Sequence, residues 1–412
     1  MIRTSFSRTS SIKSTDANNL ATVAGIDSIS GPIMKIAPVP HLLALLTLSP
    51  PLIADTQSAI RTLQSVDAEG NGNPAAAKAW AELTKGGPEN IPVLLTAMDD
   101  ANNLAANWLR SAVDALAQKH RDAVPTQALQ AFLDDRDHAP RARRLAFELI
   151  AQTDPALADK LIAGMLDDPS VELRRDAVQR ALDTAKKKES VALYAKALDA
   201  ARDVDQINTA KEALEDAGQK VDLPRHFGFL MHWKVIGPFD NTDRKGFATV
   251  YPPEKEIDFS KTYTGKTGTV KWSEHKTADT YGMVDINEPY GHLKEVVAYA
   301  HHTYHAIQAR DAEIRLGCKN AWKIWHNGKL VFERDEYHRG MRIDQYTLPI
   351  QLTKGANTLL IKLCQNEQKE SWTDQWQFQF RICDTTGTAL LAQNRLPTPQ
   401  PKAPTRRPKK KN

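Results

Sequence analysis

The chain has 412 residues, 41% hydrophobic and 25% charged, which are the proportions of a globular protein with room for two or three domains. Its net charge of +4 comes from its ends: Lys402, Arg406, Arg407, Lys409, Lys410 and Lys411 stand near the C-terminus with no acid among them, and the first 54 residues add two more positive charges. The body between, 55–396, carries −4, which excludes nucleic-acid binding driven by overall charge and predicts no specific nucleic-acid partner.

Residues 1–33 are Ser/Thr-rich and poor in apolar side chains. Met34-Lys35 then precedes an apolar run, Leu42 to Leu48, which Pro50-Pro51 break before Leu52-Ile53-Ala54. A charged start, a short apolar core and a small closing residue have the form of a secretory signal over 34–54, within a leader region 1–54. Read so, Met34 is the start, Ala54 the last residue removed, and the protein is exported to a periplasm or secreted. The run is too short to span a bilayer, so no transmembrane segment is expected. A second reading stays open, because residues 1–15 are Arg/Ser-rich and acid-free like an organellar transit peptide.

From about 75 to 220 one phrase recurs every 32 to 35 residues: an apolar stretch closing in aspartates. It runs Leu94 to Asp99-Asp100, Leu129 to Asp134-Asp135, Ile162 to Asp167-Asp168, and, degenerately, Tyr194 to Asp199. After each aspartate group a second helix is expected. In the third copy Val171, Ala177, Val178, Ala181 and Leu182 form its apolar stripe, and Ser170 is placed to cap it. The aspartate pairs are expected in the turns, capping the next helix and opposing its dipole. A two-helix unit of this size must hide its apolar face on its neighbours, which predicts an α-solenoid over 55–222. Arg141, Arg143, Arg144, Arg174 and Arg175 recur at matching places; they form either a solvated face or a ridge for a protein partner. This half resembles HEAT and armadillo-like repeats, above all from Asp167 to Leu182, and the resemblance implies protein contact and no catalytic residues.

At Leu223-Pro224 alanine falls and aromatic content rises; six of the eight tryptophans lie beyond this point. Trp376 to Ile382 alternates strictly, which predicts a strand with Trp376, Phe378, Phe380 and Ile382 on one buried face. Leu359 to Cys364 is a second strand. Trp322 to His326, Asn327-Gly328 and Lys329 to Phe332 spell a hairpin, with Trp325 opposite Leu330 and Ile324 opposite Val331. Strands with turn punctuation and no helices between them predict an antiparallel β-sandwich or jelly roll over 223–396. The segments Ala321 to Val331 and Leu352 to Leu359 resemble the galactose-binding-like jelly-roll domain that accompanies many glycoside hydrolases. Trp233 to Asp240 is similar to the first strand of such domains in uncharacterised bacterial exported proteins. That resemblance implies carbohydrate or ligand binding in some members and architecture alone in others.

Few groups are set up for chemistry. Gly265-Lys266-Thr267 lacks the first glycine and the following helix of a phosphate loop. His301 and His305, extended, stand roughly 13 Å apart, which does not suit a shared metal ion. Glu333, Asp335, Glu336 and Asp344 lie close in sequence, so paired carboxylates for glycoside cleavage stay open. The favoured ligand site is the loop from Arg334 to Asp344: Tyr337, His338, Arg339 and Asp344, beside Trp322, with Trp372 on a second loop. Cys318, Cys364 and Cys383 fit neither a metal site nor a disulfide framework and read as small buried hydrophobes, with one disulfide as the alternative. The Pro/Lys-rich segment 397–412 is expected to be a disordered basic tail able to meet anionic surfaces. The expected function is non-catalytic binding and scaffolding, with no cofactor and no metal; the alternative is a glycan-acting hydrolase or its accessory subunit.

Overall fold

The computed structural model describes residues 51–400, with side chains from Asp55 onward. The secretory signal read over 34–54 lies outside them, save that the backbone of 51–54 opens the first helix; the basic cluster from Lys402 on lies outside them too. Among the described residues no helix is long and apolar enough to cross a membrane.

The N-terminal part is helical. Its elements are α1 (Pro51–Gln64), α2 (Asn73–Leu83), α3 (Asn90–Thr96), α4 (Asn103–Lys119), α5 (Thr126–Asp134), α6 (Pro140–Thr153), α7 (Pro155–Ile162), α8 (Val171–Lys188), α9 (Val191–Ala200) and α10 (Val204–Asp216). From α3 on, a shorter helix alternates with a longer one, at the predicted period. The longer helices bury stripes at helical spacing, such as Leu109, Val113 and Leu116 in α4 and Leu173, Ala177, Val178 and Leu182 in α8. One apolar cluster runs unbroken from Ile60 in α1 to Ala177 in α8, so each unit hides its face on the next.

Capping falls partly where the sequence put it. Ser170 accepts from Leu173 N at the head of α8 as predicted, and Asn102 accepts from Leu104 N and Ala105 N, both at 2.9 Å, at the head of α4. The aspartate pairs do not cap these helices; they stand two or three residues upstream of the cap. Asp99 instead accepts from Ala139 N at 2.7 Å and meets His138 Nδ1 at 2.8 Å, one unit further on.

The C-terminal part is antiparallel sheet. A short α11 (Leu223–Phe227) leads into β1 (His232–Asp240), β2 (Thr262–Gly265), β3 (Gly268–Lys271), β4 (Ser273–Lys276), β5 (Val284–Asp285), β6 (Val296–Ala306), β7 (Arg310–Cys318), β8 (Ala321–His326), β9 (Lys329–Arg334), β10 (Tyr346–Leu352), β11 (Gly355–Gln365) and β12 (Gln377–Cys383). Six strands pair in the order β4-β1-β6-β11-β8-β9 and four as β10-β7-β12-β5, while β2 and β3 form a small hairpin. The two larger sheets share one core: Trp233, Val235, Trp322, Ile324, Ile361 and Leu363 from the first meet Ile314, Leu316, Phe378, Phe380 and Ile382 from the second.

The β8–β9 hairpin turns on Asn327 (φ 51°) and Gly328 (φ 76°), both left-handed as an Asn-Gly turn requires. Trp325 faces Leu330 as predicted. Ile324 faces Phe332 instead of Val331, because a bulge adds one residue to β9. β12 also differs from expectation: besides its apolar face, Gln379 and Arg381 are buried, at 4% and 3% exposure. Its other face is covered by the end of α11, where Arg381 Nη1 donates to Phe227 O at 3.0 Å and Phe229 bridges to Arg381. The three cysteines are unpaired buried thiols; burial pushes Cys318 and Cys364 up to about 12 and Cys383 to about 11.

Candidate functional site

The loop after β9 and the loop between β11 and β12 converge. His338 has a left-handed backbone (φ 58°) and its Nε2 lies 2.6 Å from Asn366 Oδ1. A carbonyl oxygen there fixes the proton on Nε2 and leaves Nδ1 as an acceptor. Burial lowers the His338 pKa, outweighing the Asn366 bond, so the ring is neutral at pH 7. Its edge meets Trp372 at 5.6 Å between centroids. The Tyr337 hydroxyl accepts from Asn241 Nδ2 at 3.2 Å, and the Arg244 guanidinium lies 5.4 Å from the Tyr337 ring centroid. Arg244 Nε donates to Glu367 Oε2 at 3.0 Å, and Arg244 holds the Glu367 carboxyl below its usual range.

Trp372 is 59% exposed, yet its mount is stiff. Thr373, fully buried beside it, donates to Glu370 O at 2.7 Å, and its own carbonyl accepts from Gln365 Nε2 and Lys294 Nζ, both at 3.0 Å. Gln365 Oε1 in turn accepts from Asn320 Nδ2 at 3.3 Å. Arg244 is carried by the segment after β1, which Lys362 pins to the outer face of the six-stranded sheet. The fully buried Lys362 Nζ donates to Phe247 O (3.1 Å), Thr249 O (2.6 Å) and Glu254 Oε1 (2.8 Å). A flat aromatic face beside a neutral imidazole and a guanidinium, all held from beneath, can stack on a ring and hydrogen-bond its polar substituents. Two carboxylates of these loops are matched to arginine: Glu367 with Arg244, and Glu336 with Arg334 at 2.9 Å and Arg339 at 2.5 Å, while Asp335 acts on Tyr337 and Arg244 through its charge alone.

Of the residues predicted for a ligand, Tyr337, His338 and Trp372 come together, and Arg339 pairs with Glu336 on the same loop. Trp322 does not. It is an inward position of β8, fully buried in the shared core, 5.1 Å from Tyr346 and 5.6 Å from Phe332 between centroids. Asp344 does not either. It turns to the four-stranded sheet, where Arg381 Nε donates to it at 2.7 Å and Arg315 Nη1 at 3.0 Å. Burial acts to raise its pKa, but the two arginines prevail and hold it low. Asn241, Arg244, Asn366 and Glu367 were not foreseen; Arg244 and Glu367 are 123 residues apart, and no local pattern joins them.

Of the ridge arginines, Arg143 and Arg174 are buried, and Arg141, Arg144 and Arg175 are half-buried and bonded within the protein. Arg143 is 1% exposed and grips Asp168 with two bonds of 2.6 and 2.7 Å. Arg174 is 7% exposed and reaches Thr386 and Thr388. Arg144 bonds Asp176 and Glu148, Arg175 bonds Asp205 and Asp203, and Arg141 donates to the carbonyls of Met98 and Ala101. Arg141, Arg143 and Arg174 donate to backbone carbonyls at the turns between helices, which satisfies polar groups there. His301 and His302 lie on β6; His302 Nδ1 meets His232 O at 2.8 Å, and His301 packs between Phe259 and Trp272. Among the described residues no group of three or more His, Cys, Asp or Glu could hold a metal ion. Lys266 sits in the β2–β3 turn, bonded to Glu295 O at 2.7 Å.

No family model matches this chain, and no curated protein matches it. Among solved structures it is similar to a GH31 alpha-xylosidase from Xanthomonas citri (11% identity, 27% of this chain and 15% of that one, TM-score 0.19). It is also similar to a Kluyveromyces marxianus beta-glucosidase in complex with glucose (10% identity, 40% and 19%, TM-score 0.23). A third is a Pseudomonas fluorescens alkylpurine DNA glycosylase bound to DNA with an abasic site analog (11% identity, 82% and 95%, TM-score 0.20). The chain spans less than a fifth of the length of the first two enzymes. At these scores the likenesses carry no argument about activity.

Proposed function

We infer that this is an exported, non-catalytic binding and scaffold protein. Its HEAT-like solenoid over 55–222 meets a protein partner. Its galactose-binding-like jelly roll over 223–396 meets a carbohydrate through Trp372, Tyr337, His338 and Arg339. The observation that carries the carbohydrate reading is the exposed Trp372 indole on a mount of fully buried polar groups, next to a neutral imidazole. The alternation of shorter and longer helices and the two antiparallel sheets around one core are consistent with the two resemblances. The Arg244 guanidinium holds Glu367 below the usual carboxylate range, which favours binding over hydrolysis at that residue, since a general acid needs a raised pKa. The basic tail meets anionic surfaces, and no cofactor takes part.

A glycan array probed with the full chain tests this. Binding is expected, and Trp372→Ala should weaken it about tenfold, or ~1.4 kcal/mol, with the fold intact. Absence of binding to every glycan would sink the carbohydrate reading. Glycan cleavage lost in Glu336→Gln would replace it with a hydrolase. N-terminal sequencing of the native protein, showing a chain that begins well before Asp55, would remove the export reading.

A further inference from the structure

The arginine pattern of the helical half breaks at one place. α6 begins at Pro140 and α8 at Val171, so Arg143 and Arg174 hold equivalent positions, as do Arg144 and Arg175. Arg143 reaches forward to Asp168, which stands three residues before the start of α8. Three residues before α10, which starts at Val204, the chain has Ala201, and Arg202 follows it. Arg174 has therefore lost the carboxylate its position calls for and gained a second guanidinium nearby.

The sheet half supplies only hydroxyls in return. Arg174 Nη1 donates to Thr386 Oγ1 at 3.2 Å and Thr388 Oγ1 at 3.3 Å, and its Nε donates to Asp168 O at 2.9 Å. Arg202 Nε donates to the same Thr388 Oγ1 at 3.2 Å, and its Nη1 to Asp199 O and Ala201 O, both at 2.7 Å. Among the described residues neither guanidinium has a carboxylate at ion-pair distance, and the Nη2 of each donates to no acceptor. Both line a crevice of about 370 Å³ between α8, the turn from α9 to α10 and the turn after β12, together with Arg175, Arg315, Asp203 and Asp344. The two aspartates are already engaged: Asp203 with Arg175, and Asp344 with both Arg315 and Arg381. The nearby Asp384 uses Oδ1 to hold its own turn, accepting from Thr386 N, Thr386 Oγ1 and Thr388 N. Asp384 offsets part of the charge of Arg174 and Arg202, so the crevice, lined by both arginines, keeps a positive surplus and the unused Nη2 donor of each.

We propose that this crevice is an oxyanion site, in which a phosphate or sulfate group takes the place of the missing carboxylate and clasps the helical half to the sheet half. Guanidinium forks suit such a group because it accepts several charge-assisted bonds at once. The tension the anion would relieve is visible: burial first, then repulsion from Arg174, lowers Arg202 to about 10. This site lies apart from the Trp372 cluster and does not depend on the carbohydrate reading.

The test is calorimetric titration of the full chain with inorganic phosphate and with sodium sulfate, and thermal unfolding in each against sodium chloride at equal ionic strength. Saturable binding is expected, with a rise in Tm beyond that in chloride; the stronger arm identifies the source. Arg202→Gln should weaken binding at least tenfold. Ala201→Asp restores the carboxylate of the repeat; it should abolish binding and hold or raise Tm in chloride. Stabilisation by chloride equal to that by phosphate and sulfate would overturn the site, as would unchanged binding in whichever of the two variants folds.

Discussion

In the helical half ion pairs recur along the chain: Arg143 with Asp168, which is buried, and Arg144 with Asp176 and Arg175 with Asp205, which are partly exposed, each joining one helix pair to the next. In the sheet half buried charge is written once at each place. Lys362 gathers Phe247, Thr249 and Glu254, and Asp344 gathers Arg315 and Arg381, joining segments far apart in sequence. If the helical half is the proposed solenoid, the first arrangement makes its stability a sum of neighbour terms. The second makes it a property of the whole sheet pair. Damage to the helices should stay local, and damage to the sheets should spread.

The sharpest way to break this contrast is to remove one buried anchor from each half. Arg143→Ala leaves the buried Asp168 with only the Ser170 N–H and no counter-charge, and should cost about 3–5 kcal/mol. Hydrogen exchange should show faster opening around α5 to α8, with the sheets little changed. Trp322→Ala opens a hole in the shared core at a comparable cost of about 3–5 kcal/mol, but exchange should rise across both sheets together. Spread of the Arg143→Ala effect into the sheets would sink the distinction.

A somewhat smaller effect tests the sheet half through pH. His301 is buried between Phe259 and Trp272, and burial lowers its pKa from 6.5 to about 4. The unfolded chain takes up this proton first. Stability from the group is therefore whole above pH 6.5 and falls as pH drops toward 4, by up to about 3 kcal/mol. His301→Phe should flatten the slope of unfolding free energy between those values; an unchanged slope would assign it to other groups. The smallest effect returns to the helices: Asn102→Ala removes the cap of α4 and should cost about 1 kcal/mol in urea unfolding.

The sequence was most legible where one residue type decides a local geometry. Asn327-Gly328 declared its turn, Ser170 its cap, and the period of the apolar phrases gave the helix alternation, because each is settled within a few residues. Trp322 was misjudged for a physical reason. β8 alternates, so Trp322 and Trp325 face opposite sides, and which side is core depends on the second sheet. Asp344 and Arg143 were misread because their guanidinium and carboxylate partners stand 25 to 37 residues away, beyond any local pattern. Tyr337, His338 and Trp372 were found because aromatic residues on loops are conspicuous; Arg244 and Glu367 were not, since neither is unusual until the fold joins them.

The apolar cluster that begins at Val178 does not stop at the last long helix. It continues through Leu182, Ala197 and Leu214 to Phe227, Phe229 and Met231, at the threshold of β1. A cut at residue 222 would therefore strip the covering from both sides of a single seam. Fragments made there should stick to each other, or to themselves, before they behave as independent modules. Moving either half into another chain would lay the same seam bare.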